Sequence, residues 1–322
     1  MLKVAIVGGG FYGMFLANQL QHKCCVSVID DRGVSATRNC QARLHSGLFY
    51  VRNKDDLLAC AKNGPKFYKL FRKSIIKDFD SYYLVDKNSP ISLDEYMSIS
   101  KANKLHVKKT KLDYVNMSQV QGVLKAKEFS IDTESVMHSL HEDTEFIDIR
   151  GEVTRVVQSP LGVRVFYNYL DSKSKYEGSE LVDKVILCAY GNNNDILINS
   201  GLTPLQLTKQ KIDTFSFEDN LPGECHAVVD GNYWNSMVTK SYKLLTNGIT
   251  AASTEKQWEN SVKQVKQYIP EIAMYYRGVT SFNKFTMPNT RRGIVTRYGQ
   301  VYTVFAGKLT NIFDILDNLD FI

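Results

Sequence analysis

The chain opens on alternating apolar runs and polar breaks. Val4 to Val7 (VAIV) is a short continuous apolar run, FYGMFLANQL carries apolar residues at a helical period, and VSVID is a second apolar run ending at Asp30. Strand, helix and strand in that order predict a βαβ unit whose strands are covered on both faces. The next stretch, Ser35 to Asn53, has neither period. LLACAKNGPKFYKLF then reads as a helix interrupted at Gly64 and Pro65. SYYLV is a short strand, SIDTESVMHSLHED a helix opened by Asp132 or Thr133, and EFIDIRGEVTRVVQSPLGVRVFYNYL a pair of antiparallel strands turning at Pro160 to Gly162. KVILCAYGNNN is a buried strand ending in glycine and asparagines, which predicts a return to the first sheet. Glu255 to Tyr268 is an amphipathic helix stopped by Pro270, and the tail from Gln300 predicts a strand, a Gly-Lys turn and a helix.

These elements predict an α/β chain: a Rossmann-like first domain from residues 1–77, 128–203 and 291–322, and an α+β second domain from 78–127 and 204–290, built on a mostly antiparallel sheet. The length of 322 residues, with 43% hydrophobic and 23% charged residues, suits two cores. A formal charge of +6 changes little. The densest basic run, Lys101 to Lys111, lacks the interleaved aromatics of a nucleic-acid groove and reads as a solvated face. No stretch approaches the roughly 20 apolar residues of a membrane span. Glycines interrupt the first apolar segment and no small-residue cleavage site follows it, so it reads as mature protein rather than a signal peptide. Six cysteines at irregular spacing indicate neither a zinc site nor a disulfide framework and suit a reducing cytoplasm; Cys24 and Cys25 read as small apolar residues of the second strand.

Gly8, Gly10 and Gly13 fall in a G-x-G-x-x-G spacing between the first strand and the helix, with Asp30 closing the second strand. In that context the glycines permit a sharp turn, close approach of a pyrophosphate to bare backbone, and tight helix–strand packing. The helix N-terminus favours the phosphate charge, and Asp30, or Asp31 in its place, accepts hydrogen bonds from ribose hydroxyls.

With that fingerprint, NCQARLHSGLFY, KVILCAYG and AGKLTN together resemble the FAD-dependent oxidoreductases of the D-amino-acid oxidase superfamily. RLHSGLFY with the following LACAKNG helix is most similar to L-2-hydroxyglutarate oxidases, and AGKLTN to the C-terminal element of glycerol-3-phosphate dehydrogenases. The resemblance implies that Gly8, Gly10, Gly13 and Asp30 hold the ADP half of FAD, with Thr37 and Arg38 near the diphosphate. It implies that Ala42 to Gly47 pass the flavin ring, that Gly191 approaches the cofactor from the returning strand, and that Gly307, Lys308 and Leu309 lie near the flavin pyrimidine. A lysine and a helix N-terminus there would stabilise negative charge on the reduced flavin. The covalent-anchor cysteine of the sarcosine-oxidase branch is missing, so noncovalent FAD is expected. NAD alone is disfavoured, since no second glycine fingerprint follows.

The activity so implied is hydride removal from a C–H next to an amine or hydroxyl of a small amino or hydroxy acid, with reoxidation by oxygen or another acceptor. His45 is the candidate for proton handling, with hydrogen bonding to flavin or backbone as its alternative role. Arg43, Arg52, Arg291 and Arg292 are candidates for a planar contact to a substrate carboxylate; Tyr50, Tyr190 and Tyr242 line the cavity or simply pack. A flavin monooxygenase or halogenase is a rival reading, weakened by the lack of a late G-D motif. A non-catalytic FAD-binding protein is another, weakened by retention of all three flavin-linked segments.

Overall fold

Val4, Ala5 and Ile6 are completely buried, as an unbroken apolar run requires of a strand covered on both faces. They lie on β1 (Leu2–Val7), followed by α1 (Phe11–Leu20) and β2 (Cys24–Asp30). The computed structural model describes residues 1–33, 36–40, 42–170, 176–221, 223–229, 233–238, 241–246, 254–288 and 292–320. The chain divides into two compact units: Met1–Arg38, Glu134–Gln210 and Asn283–Ile322 form the first, and Asn39–Thr133 with Lys211–Phe282 the second.

The first unit is built on a parallel sheet. Ile147–Ser159, β2, β1, Lys184–Leu187 and Val301–Phe305 lie side by side in that order, every pair parallel. Antiparallel strands extend it: Ile294–Tyr298 on one side, and Gly162–Tyr169 then Glu177–Val182 on the other. Ala5, Val7, Ile29, Val163, Val185, Leu187 and Val301 share one core cluster, so the alternating segment packs its inward residues with the continuous apolar strands. The order of the five parallel strands reverses at β1, because β2 lies on one side of it and Lys184–Leu187 on the other. That is the Rossmann-like arrangement, and it opens a crevice at the strands' carboxyl ends.

The second unit carries a sheet in the order Met274–Thr286, Thr208–Asp219, Ser241–Thr246, Tyr233–Val238, Glu224–Val229, Asp80–Asp86, Val120–Ala126 and Val107–Thr110. Glu224–Val229 runs parallel to Asp80–Asp86, while Asp80–Asp86 pairs antiparallel with Val120–Ala126, which in turn pairs antiparallel with Val107–Thr110. A small sheet of Arg43–Leu44, Phe129–Ile131 and Ile75–Ile76 belongs to the same unit. The α/β class with a mostly antiparallel second sheet is therefore the fold observed.

Several local expectations change. The contacts part the chain at 38/39 and 133/134, not at 77/78 and 127/128. Leu48, Val51 and Leu57 pack in one core with Tyr83, Val85 and Leu124, and Arg43–Leu44 pairs with Phe129–Ile131 of the second unit's small sheet. Residues 39–77, expected with the nucleotide-binding sheet, thus share a core with the second unit. Gly64 and Pro65 do not interrupt their helix, which runs unbroken over Lys54–Leu70. Asn53 caps it by accepting from the Asp56 N–H at 3.1 Å, and a buried face of Leu57, Cys60, Gly64 and Phe67 carries it through the proline. Cys24 is buried but Cys25, near the start of β2, is exposed, while Val26 to Ile29 are buried on both faces. All six cysteines are free. The lysines of the basic run are exposed. Among the described residues no helix is long and apolar enough to cross a membrane, and no cluster of His, Cys, Asp or Glu could hold a metal.

Candidate functional site

In the first unit the glycine loop is fitted to its surroundings atom by atom. Gly8 has φ +101, donates to the Ile29 carbonyl at 2.8 Å, and would bring a Cβ within 2.8 Å of the Cys188 carbonyl oxygen. A Cβ at Gly13 would stand 1.9 Å from the Gly8 carbonyl oxygen. Both glycines are thus demanded by backbone on backbone, which brings the start of α1 against the end of β1. Gly10 is the N-cap of α1 and offers no side chain to cap it. Thr37, buried on the short helix Ala36–Asn39, supplies the missing acceptor: its hydroxyl receives the Phe11 N–H at 3.2 Å. The N–H groups of Tyr12 and Gly13 precede the first intrahelical bond, from Met14 to Gly10 at 3.0 Å, so they belong to the donor set a helix end presents to an anion.

Asp30, not Asp31, faces this loop. Its carboxylate accepts the Gly9 N–H through one oxygen and the Arg32 N–H through the other at 2.6 Å. Each oxygen retains a lone pair for a further donor. Asp31 instead accepts from Gly33 at 2.8 Å on the exposed side. Arg38 is exposed on the same short helix as Thr37.

The exit of Lys184–Leu187 is held by Asn193, which is completely buried. It accepts the Ala189 N–H at 2.8 Å and donates to the carbonyls of Leu187 at 3.2 Å and Val304 at 3.0 Å, joining the ends of two parallel strands. The asparagine run is thus partly architectural. Gly191, expected to approach the cofactor, lies under Phe285: a Cβ there would meet that ring at 2.1 Å. Tyr190 stacks on Phe305 with centroids 5.3 Å apart, and its hydroxyl both donates to the Phe285 carbonyl (3.0 Å) and accepts its N–H (2.9 Å). Tyr190 accordingly packs.

At the tail, Gly307 is exposed with open space where a Cβ would stand, Lys308 begins the short helix Leu309–Asn311, and Ile312–Leu316 follows. Five residues are too few for the helix N-terminus expected here to act through a macrodipole, which leaves the Lys308 ammonium as the cationic group. Tyr12, missed in the sequence, donates from its hydroxyl to the Lys308 carbonyl and so ties the first turn of α1 to this turn. Burial, and then Asp314, push its phenol well above the ordinary value, which keeps it a donor.

The histidine segment lies in the second unit, around a buried ion pair. The Arg43 and Glu128 side chains are 3% and 0% exposed, with Nε 2.8 Å from Oε2. Arg43 also donates to Ser81 at 3.0 Å and lies 5.1 Å above the Tyr83 ring. Burial opposes its charge, but Tyr83 and Glu128 more than offset that and hold it above its usual value. Arg43 is therefore buried and paired with Glu128 within its own unit. Glu128, also missed in the sequence, accepts the Ser46 N–H at 3.1 Å and hydroxyl at 2.9 Å. Burial raises its carboxyl, yet Arg43, then His45, then hydrogen bonds from Tyr83 and Ser46 pull it below the ordinary range, so it stays ionised. His45 Nδ1 lies 3.9 Å from Glu128 Oε2, and its ring, 16% exposed, stands edge-on to Tyr50 at 5.3 Å. Ala42 adopts φ +51 and its carbonyl accepts from Ile131 at 2.6 Å; Gly47 caps the short helix Leu48–Tyr50. Arg52 and Arg292 are exposed. Arg291 lies outside the described residues, as does the side chain of Tyr242.

No protein-family model matches the chain, and no curated protein sequence does. Solved structures do. Glycine oxidase from Geobacillus kaustophilus superposes with a TM-score of 0.76 at 10% identity, covering 97% of this chain and 91% of that one. Iminodiacetate oxidase from Chelativorans sp. BNC1 gives 0.74 at 12% identity over 96% and 91%, and L-proline dehydrogenase from P. horikoshii 0.74 at 13% over 97% and 90%. The fold implied by the resemblance to the D-amino-acid oxidase superfamily is the fold found.

Proposed function

We propose that this chain is an FAD-dependent oxidoreductase that removes a hydride from the C–H beside the amine of a small amino acid. The observation that carries the reading is the Gly8–Gly13 loop, whose two obligatory glycines lie at the reversal point of a parallel sheet with Asp30 turned toward them. These residues fit a dinucleotide: bare backbone, a helix end with outward N–H groups, and a carboxylate with lone pairs left for ribose hydroxyls. The first unit is then the cofactor unit, with Lys308 and Leu309 as its second contact, and the second unit supplies the substrate groups. Amine donors are preferred over hydroxyl donors because the named neighbours act on glycine, iminodiacetate and L-proline.

Bound noncovalently, FAD would supply the hydride acceptor at flavin N5. The chain's own part is to bind, orient and move one proton. Lys308 would offset negative charge on the pyrimidine side. His45 would take the proton, with its Nδ1 toward the ionised Glu128 so that Nε2 is the accepting atom. Oxygen or another acceptor would complete turnover, and six free thiols suit a cytoplasmic setting. The test is the absorption spectrum of the purified protein before and after acid precipitation, then anaerobic mixing with amino acids. Flavin released to the supernatant and bleached by an amine donor supports the reading. A colourless protein that takes up no added FAD overturns it.

A further inference from the structure

Bordering the histidine segment at Glu128, the second unit holds a cavity of about 330 Å³, within the range of about 300–1,000 Å³ typical of small-molecule sites. Its wall is fixed by local geometry. Lys125, Lys127 and Phe129 alternate along an extended segment and so share a face, while the intervening Ala126 and Glu128 are buried. Ile75 pairs with Ile131 and Ile76 with Ser130, which carries Lys77 next to Phe129. The last turn of Lys54–Leu70 adds Tyr68, whose ring lies 5.3 Å from that of Phe129, and Phe79 closes the apolar side.

The charges in this wall do not cancel. Lys125 is taken by Asp80 at 2.5 Å, and Glu128 by Arg43 at 2.8 Å. Lys77 and Lys127 are exposed, and among the described residues neither has an acidic partner; Lys77 lies 4.9 Å over the Tyr68 ring. Two cations remain in a wall that also carries the Tyr68 and Phe129 rings. The field is felt at the Tyr68 phenol, which is lowered from its ordinary value first by hydrogen bonding to Lys77 and, against some burial, by the charges of Lys77, Arg72 and Lys127.

We propose that this cavity binds a small organic dianion with a flat apolar body, an aryl phosphate, its phosphate between Lys77 and Lys127 and its ring against Tyr68 and Phe129. None of these residues belongs to the glycine loop or the Lys308 turn, so the proposal stands independently of the cofactor reading.

Calorimetric titration of phenyl phosphate into the full chain, first without and then with excess FAD, tests it, with phenol and inorganic phosphate as controls. The expected result is one site, weakened about tenfold by Lys77→Gln and by Lys127→Gln, and weakened also by Phe129→Ala, with both controls at least about tenfold poorer. The lysines are exposed, so their variants fold, and far-UV circular dichroism checks this. Absence of heat, binding unchanged in both lysine variants, inorganic phosphate binding as well as phenyl phosphate, or binding abolished by FAD would each overturn the proposal. The last outcome would assign the anion to the dinucleotide loop.

Discussion

At Gly13 the backbone leaves no room for a methyl group, because the Gly8 carbonyl oxygen already occupies the place at 1.9 Å. Gly13→Ala should therefore push α1 off the loop and lower FAD affinity roughly a hundredfold, about 2.7 kcal/mol, read by titration of flavin fluorescence with the far-UV circular dichroism retained. Asp30→Ala should cost less, since it removes hydrogen bonds to the loop without filling space. Glu128 makes a different case. Its removal in Glu128→Ala leaves the Arg43 charge buried and should cost about 3–5 kcal/mol in urea unfolding. Because its carboxyl is depressed on folding, its contribution is fully present above the usual carboxyl value of 4.5 and is lost as pH falls through the lower folded value. Asp219 has the opposite sign. Burial, with Glu224 adding to it and the Leu221 N–H opposing it, raises its carboxyl from 3.8 to about 7, so the folded state is penalised as pH rises from 4 toward 7. Asp219→Asn should match wild type near pH 4 and exceed it by about 1 kcal/mol above pH 7, after discounting for partial exposure. Equal stabilities at both pH values would refute this. The glycines and Asp30 were legible because their chemistry is local: fixed spacing, fixed context. Glu128 was not, since nothing in KAKEF distinguishes an acid that will be buried against a distant arginine from one on a solvated face.

Among the elements, the strand ends are held by side chains rather than by the strands themselves. Asn193 satisfies one N–H and two carbonyls from the exits of Lys184–Leu187 and Val301–Phe305. Asn193→Ala should leave buried backbone groups unpaired and destabilise the first unit by about 2–4 kcal/mol, while Asn192→Ala, at an exposed position, should change stability by less than about 0.5 kcal/mol. Comparable losses in the two variants on thermal unfolding would refute the assignment. Apolar runs and alternation predicted the strands well, because both patterns report which faces are covered. They failed where packing overruled a breaker. Lys54–Leu70 continues through Pro65 because its buried face outweighs one lost backbone bond. The tail helix is shorter than its sequence suggests, with Leu309–Asn311 closing as a tight turn before Ile312–Leu316.

For the whole molecule, the reading predicts that FAD raises the unfolding temperature in a concentration-dependent way, by linkage worth about 2.7 kcal/mol at a hundredfold excess over Kd, and that this gain disappears in Gly13→Ala. Differential scanning calorimetry with and without FAD decides it; identical curves would refute the proposed FAD site. Two units were legible in the sequence, but their limits were not. Residues 39–77 follow the opening βαβ segment of the first unit in the chain yet bury Leu48 and Leu57 in the second unit's core. The sequence by itself determined the βαβ opening, the glycine loop, the aspartate that ends β2 and the class of the fold, since each rests on spacings of a few residues that backbone sterics and burial translate directly into shape. Only the tertiary structure decided that Thr37 caps α1 across 26 positions, that Tyr190 holds Phe285 across 95, and that Arg43 is buried in an ion pair with Glu128. Such pairings have no period along the chain, and the free energy that selects them appears only when the two surfaces leave water together.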